Sequence, residues 1–105
     1  MKVICNNIIP FSGFSAINLF GLLFVRKGVV VSKKMLNHER IHSAQMRELL
    51  YVFFYLWYVA EWFVKLFRYG SQSYYNISFE REAYTYDSDF NYLEKRKLWA
   101  WTRCI

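Results

Sequence analysis

The chain has few of the residues that interrupt regular structure. One proline and four glycines occur in 105 residues, which excludes a Pro/Gly-rich, low-complexity chain. Acidic residues are scarce as well: eight Asp and Glu stand against fourteen Lys and Arg, for a formal charge of +6. The bases are scattered as Arg26/Lys27, Lys33/Lys34, Lys65/Arg68 and Lys95/Arg96/Lys97. Unclustered and outside any recognised motif, they argue against specific nucleic-acid binding and suit a basic surface with loose attraction to anionic partners. Cysteine is confined to Cys5 and Cys104, near the two ends. Nothing else signals secretion, so two thiols are expected rather than a disulfide. The start, MKVICNNIIPFSG, has too short an apolar run before Asn6 and Asn7 for a signal peptide. Histidine occurs only twice, as His38 and His42.

Apolar and aromatic side chains are abundant, at 55% and 22% of the chain. Such a composition excludes disorder and predicts one compact, mainly helical domain over 1–105, with a small β-hairpin near its start. It also hints at contact with lipid or with a partner protein.

The first fifteen residues are mixed, with Pro10 and Gly13 as breaks. The apolar run 17–25 and the β-branched run 28–32 read as two strands joined by a turn at Arg26-Lys27-Gly28, giving a β-rich part over 1–31. Ser32 stands at an N-cap position. From Lys33 the period becomes helical: Met35, His38, His42, Met46 or Gln45, Leu49 and Phe53 fall on one stripe. Helix is expected to continue over 49–70, with Lys65 and Arg68 near its end and Gly70 as C-cap. Its uninterrupted apolar part ends at Ala60, short of the about 20 residues that span a bilayer. A buried or membrane-surface helix over 49–67 is the first expectation and a single transmembrane helix the alternative; the expected location is cytoplasmic or peripheral to a membrane. After a polar loop, residues 77–86 read as a short helix capped by Asn76 or Ser78. Asp87-Ser88-Asp89 breaks it before a last helix in the C-terminal stretch. Together these form the third part, 71–105.

His38-Glu39-Arg40-Ile41-His42 spells HExxH. Two imidazoles four residues apart on one helical face can both reach one zinc ion at about 2.0–2.1 Å. Glu39, rotated roughly a third of a turn away, would sit beside the metal's open position as general base toward an activated water. The plainer alternative is a helix with two core-facing histidines and a surface glutamate. Buried imidazoles need partners for their ring nitrogens, which favours the metal, and one Zn²⁺ per chain is expected.

A catalytic zinc takes three protein ligands, and no third histidine exists. Glu48, Glu61, Glu80, Glu82, Asp87, Asp89 and Cys104 are the downstream candidates. Glu48 lies off the ligand face and Glu61 lies several turns along the same helical stretch. Glu80 and Glu82 lie on the next helix, after a loop that lets the chain reverse. They point about 200° apart, so only one can face the metal.

HExxH, an aromatic-rich helix and then Phe79-Glu80-Arg81-Glu82-Ala83-Tyr84 resembles the gluzincin metallopeptidases. The layout is similar to that of the CAAX prenyl endopeptidase and heat-shock membrane protease group, and of the antibiotic-sensing membrane metallopeptidases. HERIHSAQ also resembles the HExxHxxQ form of short uncharacterised metallopeptidase-like domains. The resemblance covers roughly residues 32–88. It implies a minimal zincin-like fold, with Glu80 as third ligand and Ala83 at a small-residue position; on the residues alone Glu82 stays the alternative ligand. Tyr84 stands where those families carry Asp, so support for a ligand histidine would have to come from Glu82 or Asp87. Tyr84, Tyr86, Tyr74 and Tyr75 are candidates for polarising an oxyanion. The upstream hairpin could pair with an extended peptide.

These readings predict a zinc metallopeptidase acting on a peptide or protein, with His38, His42 and Glu80 as ligands and Glu39 as base. The alternative is a non-catalytic module, zinc-stabilised or metal-free, that binds a partner or a membrane surface.

Overall fold

The computed structural model describes residues 2–6 and 16–105; the breaks expected at Pro10 and Gly13 lie outside them. The chain is mainly helical with a three-stranded sheet at its N-terminal end. The strands are β1 (Lys2–Asn6), β2 (Ala16–Leu19) and β3 (Leu22–Arg26), in the order β1-β3-β2. β1 runs parallel to β3, and β2 runs antiparallel to it. Leu23 and Val25 alternate inward on β3 and are fully buried.

The hairpin differs from the sequence expectation. Its turn is Phe20-Gly21, inside the run read as one strand, and residues 28–32 form no strand. Both turn residues have positive φ, 52° for Phe20 and 88° for Gly21, as a two-residue hairpin turn matched to strand twist requires. A phenylalanine rarely takes that conformation. Here its ring packs edge-on against Tyr55, centroids 5.3 Å apart, and its N–H donates to the Tyr55 hydroxyl at 3.0 Å.

Helix α1 (Lys33–Glu48) begins as expected: Ser32 is extended and its side chain accepts from the Met35 N–H at 3.1 Å. It does not run on through residue 49. Leu50 and Tyr51 have φ of 53° and 63°, and the Tyr51 N–H donates to the Met46 carbonyl at 2.8 Å, a six-to-one closure of the helix end. Helix α2 (Val52–Tyr69) leaves at 109° to α1. The break shifts the helical phase, so Phe54 is buried, whereas Phe53, expected inward, is exposed. Gly70 caps α2 as expected, with φ 57° and its N–H on the Leu66 carbonyl.

Helix α3 (Ser78–Tyr86) is not capped by Asn76 or Ser78. Its N-terminus is held by Glu61 of α2, whose carboxylate accepts from the Ser78 N–H and hydroxyl, each at 2.6 Å, and from Trp57 Nε1 at 2.9 Å. The expected C-terminal helix is reduced to α4 (Tyr92–Lys95) and a 3₁₀ segment, Ala100–Cys104. Cys5 and Cys104 are free thiols.

One apolar cluster, Met46, Phe54, Ile77, Phe79 and Trp101, locks α2 and α3 together, with the Phe54 and Phe79 rings stacked at 4.6 Å. A second, around Ile41, Ala83 and Tyr92, lies where α1 meets α3. Fully buried Ala83 is small enough to let the two helices approach, and Glu80, one turn earlier on α3, is thereby carried to the histidine face of α1. No single helix among the described residues is long and apolar enough to cross a membrane; α1 with the α2 stretch passes that test only jointly, across the bend.

Candidate metal centre

The helical spacing brings His38 and His42 onto the inward face of α1, where both are buried. Their Nε2 atoms lie 3.2 Å apart. Glu80 comes in from α3 with Oε1 3.1 Å from His38 Nε2 and 2.6 Å from His42 Nε2. These three side chains each offer a ligand atom within 4.8 Å of the others and could hold a metal ion. Ligands at about 2.05 Å in tetrahedral array stand about 3.3 Å apart. The two contacts of His38 Nε2, at 3.2 and 3.1 Å, are close to that spacing, whereas His42 Nε2 and Glu80 Oε1, at 2.6 Å, must separate to admit an ion.

Both rings are aimed by their far nitrogens. His38 Nδ1 lies 3.1 Å from Asp87 Oδ2, and His42 Nδ1 lies 2.8 Å from Gln45 Oε1. The amide of Gln45 is itself fixed in orientation, because its Nε2 donates to the Phe79 carbonyl and to Glu82 Oε1, both at 3.0 Å. Gln45 Oε1 must therefore accept and His42 Nδ1 must donate, so Nε2 is the nitrogen turned toward Glu80. Asp87 is steadied by Asn37, whose Nδ2 donates to the Asp87 and Asp89 carbonyls at 2.9 and 3.0 Å. The free Glu80 oxygen, Oε2, accepts from the Tyr58 hydroxyl at 3.1 Å.

The electrostatics match a site from which a proton must leave before a cation enters. Burial pushes the His42 imidazole down, but the Glu80 carboxylate more than offsets that and raises it to about 9. Burial pushes Glu80 up, yet His42 and His38 hold it well below the usual carboxylate range. Burial first, then Glu80, then more weakly Glu39, pushes the Tyr58 hydroxyl far up. Glu39 also adds to the rise at His42, so its charge is felt at both His42 and Tyr58.

Glu39 itself is half-buried beside the hairpin. Asn18 of β2 donates from Nδ2 to the Glu39 carbonyl at 3.0 Å and to Ser43 Oγ at 3.1 Å. The hairpin is thus pinned to α1 at the motif.

Glu82 points away from the histidines, as expected for a residue two positions from Glu80. Its carboxylate takes Arg96 at 2.5 and 3.0 Å and the Tyr92 hydroxyl at 2.6 Å. Arg96 also reaches Glu48 at 2.9 Å. Glu48 and Glu61 are spent on Arg96 and on the α3 N-terminus. Asp89 pairs with Lys95 at 2.8 Å, and Cys104 offers only its carbonyl to Arg81, at 3.0 Å. Tyr84 does not replace the carboxylate that the resemblance called for; its ring meets His38 edge-on at 4.5 Å, and Asp87 takes the bond to His38. Tyr74 adjoins Glu80 and Tyr84, its hydroxyl pushed up by burial and then by Glu80. Tyr75 contacts the Tyr84 ring, whereas Tyr86 stacks on Tyr92 instead.

Tyr58, Asn37 and Asn18 carry no motif and were not legible as site residues. Gln45 had a signal, its place three residues after His42. Comparison of the chain with known protein families, with curated proteins and with solved structures finds no match.

Proposed function

We propose that this protein is a minimal zinc-dependent metallopeptidase, with His38, His42 and Glu80 as ligands and Glu39 as general base. The observation that carries the reading is the convergence of two Nε2 atoms and one carboxylate oxygen at 2.6–3.2 Å, with both far ring nitrogens already held. Two imidazoles and a carboxylate are the donor set of a catalytic rather than a sulfur-bound structural zinc. A bound zinc would supply a Lewis acid toward the substrate carbonyl and an acidified water.

The chain's own residues do the rest. Glu39 takes the water's proton and hands it to the leaving amine. Tyr58 holds Glu80 by its second oxygen, so that Oε1 alone is presented. Asp87 and Gln45 keep the imidazoles in the tautomer that leaves Nε2 free. Among the described residues β2 is an edge strand, and Asn18 fastens it beside Glu39. An extended peptide adding to that edge would lie across the motif helix.

The test is zinc-loaded protein against a mixed peptide library, with Glu39→Gln as control. Wild type should cleave, and Glu39→Gln should bind zinc equally and not cleave. Cleavage retained in Glu39→Gln would overturn the assignment of the base.

A second reading, a zinc-stabilised non-catalytic module, is favoured by one observation. His38, His42 and Glu80 are each under a tenth exposed, with Tyr84 packed on His38 and Tyr58 on Glu80. Such burial leaves a peptide little access to the ligand atoms, as suits a site that only holds helices together. Zinc binding with no cleavage by wild type would select this reading.

A further inference from the structure

Helix α2 has its polarity reversed. Its inward stripe, Phe54, Tyr58, Glu61 and Lys65, carries an acid and a base engaged with other groups: Glu61 with Ser78, and Lys65 with Glu61 at 3.3 Å and with the Asn76 carbonyl at 2.6 Å. Its outward side is apolar for most of its length. Phe53, Leu56, Val59, Phe63 and Phe67 are exposed, Leu56 by 62% and Phe67 by 79%. A helix at a water-facing surface shows the opposite arrangement. Eighteen residues make a helix of about 27 Å, so this is a continuous patch and not a scatter of single side chains. Trp57 and Trp62, both part-exposed, flank it, and exposed Arg68 closes its C-terminal end. Indole and guanidinium groups of this kind suit the boundary between hydrocarbon and headgroup.

The charges are sorted in a complementary way. Glu48, Glu61, Glu80, Glu82 and Asp87 turn their carboxylates inward, each side chain under a tenth exposed. Glu94 is the one fully exposed acid, Glu39 and Asp89 being half-buried. Lys27, Lys33, Lys34, Arg40, Arg47 and Arg68 are all exposed. The surface is therefore more cationic than the +6 of the whole chain suggests. Each copy carries that net positive charge, which opposes self-association, whereas an anionic bilayer complements the charge and takes up the apolar face.

We propose that the outer face of α2 seats this protein on an anionic lipid bilayer, with the helix lying in the interface. Phe54 of α2 packs on His42 and Met46 of α1, and Tyr58 reaches Glu80, both from the side of α2 opposite the apolar face. The bilayer therefore meets the side of α2 away from the metal centre. This inference does not depend on hydrolytic activity.

The test is co-sedimentation of the full chain with vesicles of phosphatidylcholine alone and of phosphatidylcholine with phosphatidylglycerol. Lipid-free sedimentation equilibrium and circular dichroism serve as controls. The protein should pellet with the anionic vesicles and stay largely in solution with the neutral ones. Binding should fall with salt, by on the order of fivefold for each base no longer engaged. Changing Phe63→Ser together with Phe67→Ser should abolish pelleting and leave the circular dichroism unchanged, since both side chains are exposed. Three results would overturn the proposal: no pelleting with either vesicle, equal pelleting with both regardless of salt, or a lipid-free dimer that the double variant converts to monomer. The last would assign the face to a second copy of the chain.

Discussion

Zinc binding should be opposed by a proton, and the structure sets the size of that opposition. His42 lies at about 9 against an ordinary 6.5, so near neutrality the site holds a proton between its Nε2 and Glu80. A metal can take Nε2 only when that proton leaves. Each pH unit below about 9 should weaken zinc tenfold, or about 100-fold at pH 7, which is about 3 kcal/mol. The effect on the metal-free protein has the opposite sign. A raised folded value means that the His42 contribution to stability is full below 6.5 and is lost as pH rises through about 9. Glu80 is held below its ordinary 4.5, so its contribution is present above 4.5 and lost as pH falls. The metal-free protein should be most stable between these limits, and the gain from added zinc should grow toward alkaline pH. Competitive zinc titration with a chelator of known affinity, run from pH 6.5 to about 9, reads the slope. Calorimetry in buffers of different ionisation enthalpy reads the proton, about one released per zinc near neutrality. A flat affinity over that range with no proton released would refute the reasoning.

Three further outcomes test the supports of the site. Asp87→Leu removes the acceptor at His38 Nδ1 and should weaken zinc about 10–100-fold in the same titration, whereas Asp87→Asn, which keeps an acceptor oxygen, should lose less. Arg96→Met strands the buried carboxylates of Glu48 and Glu82 and should cost about 3–5 kcal/mol in urea unfolding; a loss under about 1 kcal/mol would show that the pair is not desolvated. Leu50→Gly should stabilise by about 1 kcal/mol, because Leu50 is exposed and holds a left-handed φ of 53° at the α1 end; unchanged thermal unfolding would show that the strain is relieved elsewhere.

The sequence made the site partly visible, because a histidine pair at helical spacing, a Ser32 cap and a Gly70 stop are local signals. The orientation of Glu80 and Glu82 was also readable, since two residues along a helix must face apart. The bend between α1 and α2 was not readable. Its left-handed residues are Leu50 and Tyr51, which ordinarily mark nothing, and they are held there by backbone bonds to Arg47 and Met46. The hairpin turn was misplaced for the same reason: Phe20 takes a conformation that Gly or Asn normally marks, and it is kept there by Tyr55 from a distant helix. β1 pairs in parallel with a strand some twenty residues on, a contact that no local pattern reveals. Tyr58 reaches Glu80 only because of the bend, so neither could be read before the other. Asp87 was readable as a candidate but not as the partner of His38, which depends on Asn37 gripping the end of α3.

The most direct test of the metal centre is the metal content of purified protein after zinc loading and removal of loosely held metal. One zinc per chain is expected for wild type and for Glu39→Gln, with little or none for His42→Ala and Glu80→Ala. Wild type that retains no zinc, or a Glu80→Ala protein that retains as much as wild type, would contradict a centre built from His38, His42 and Glu80.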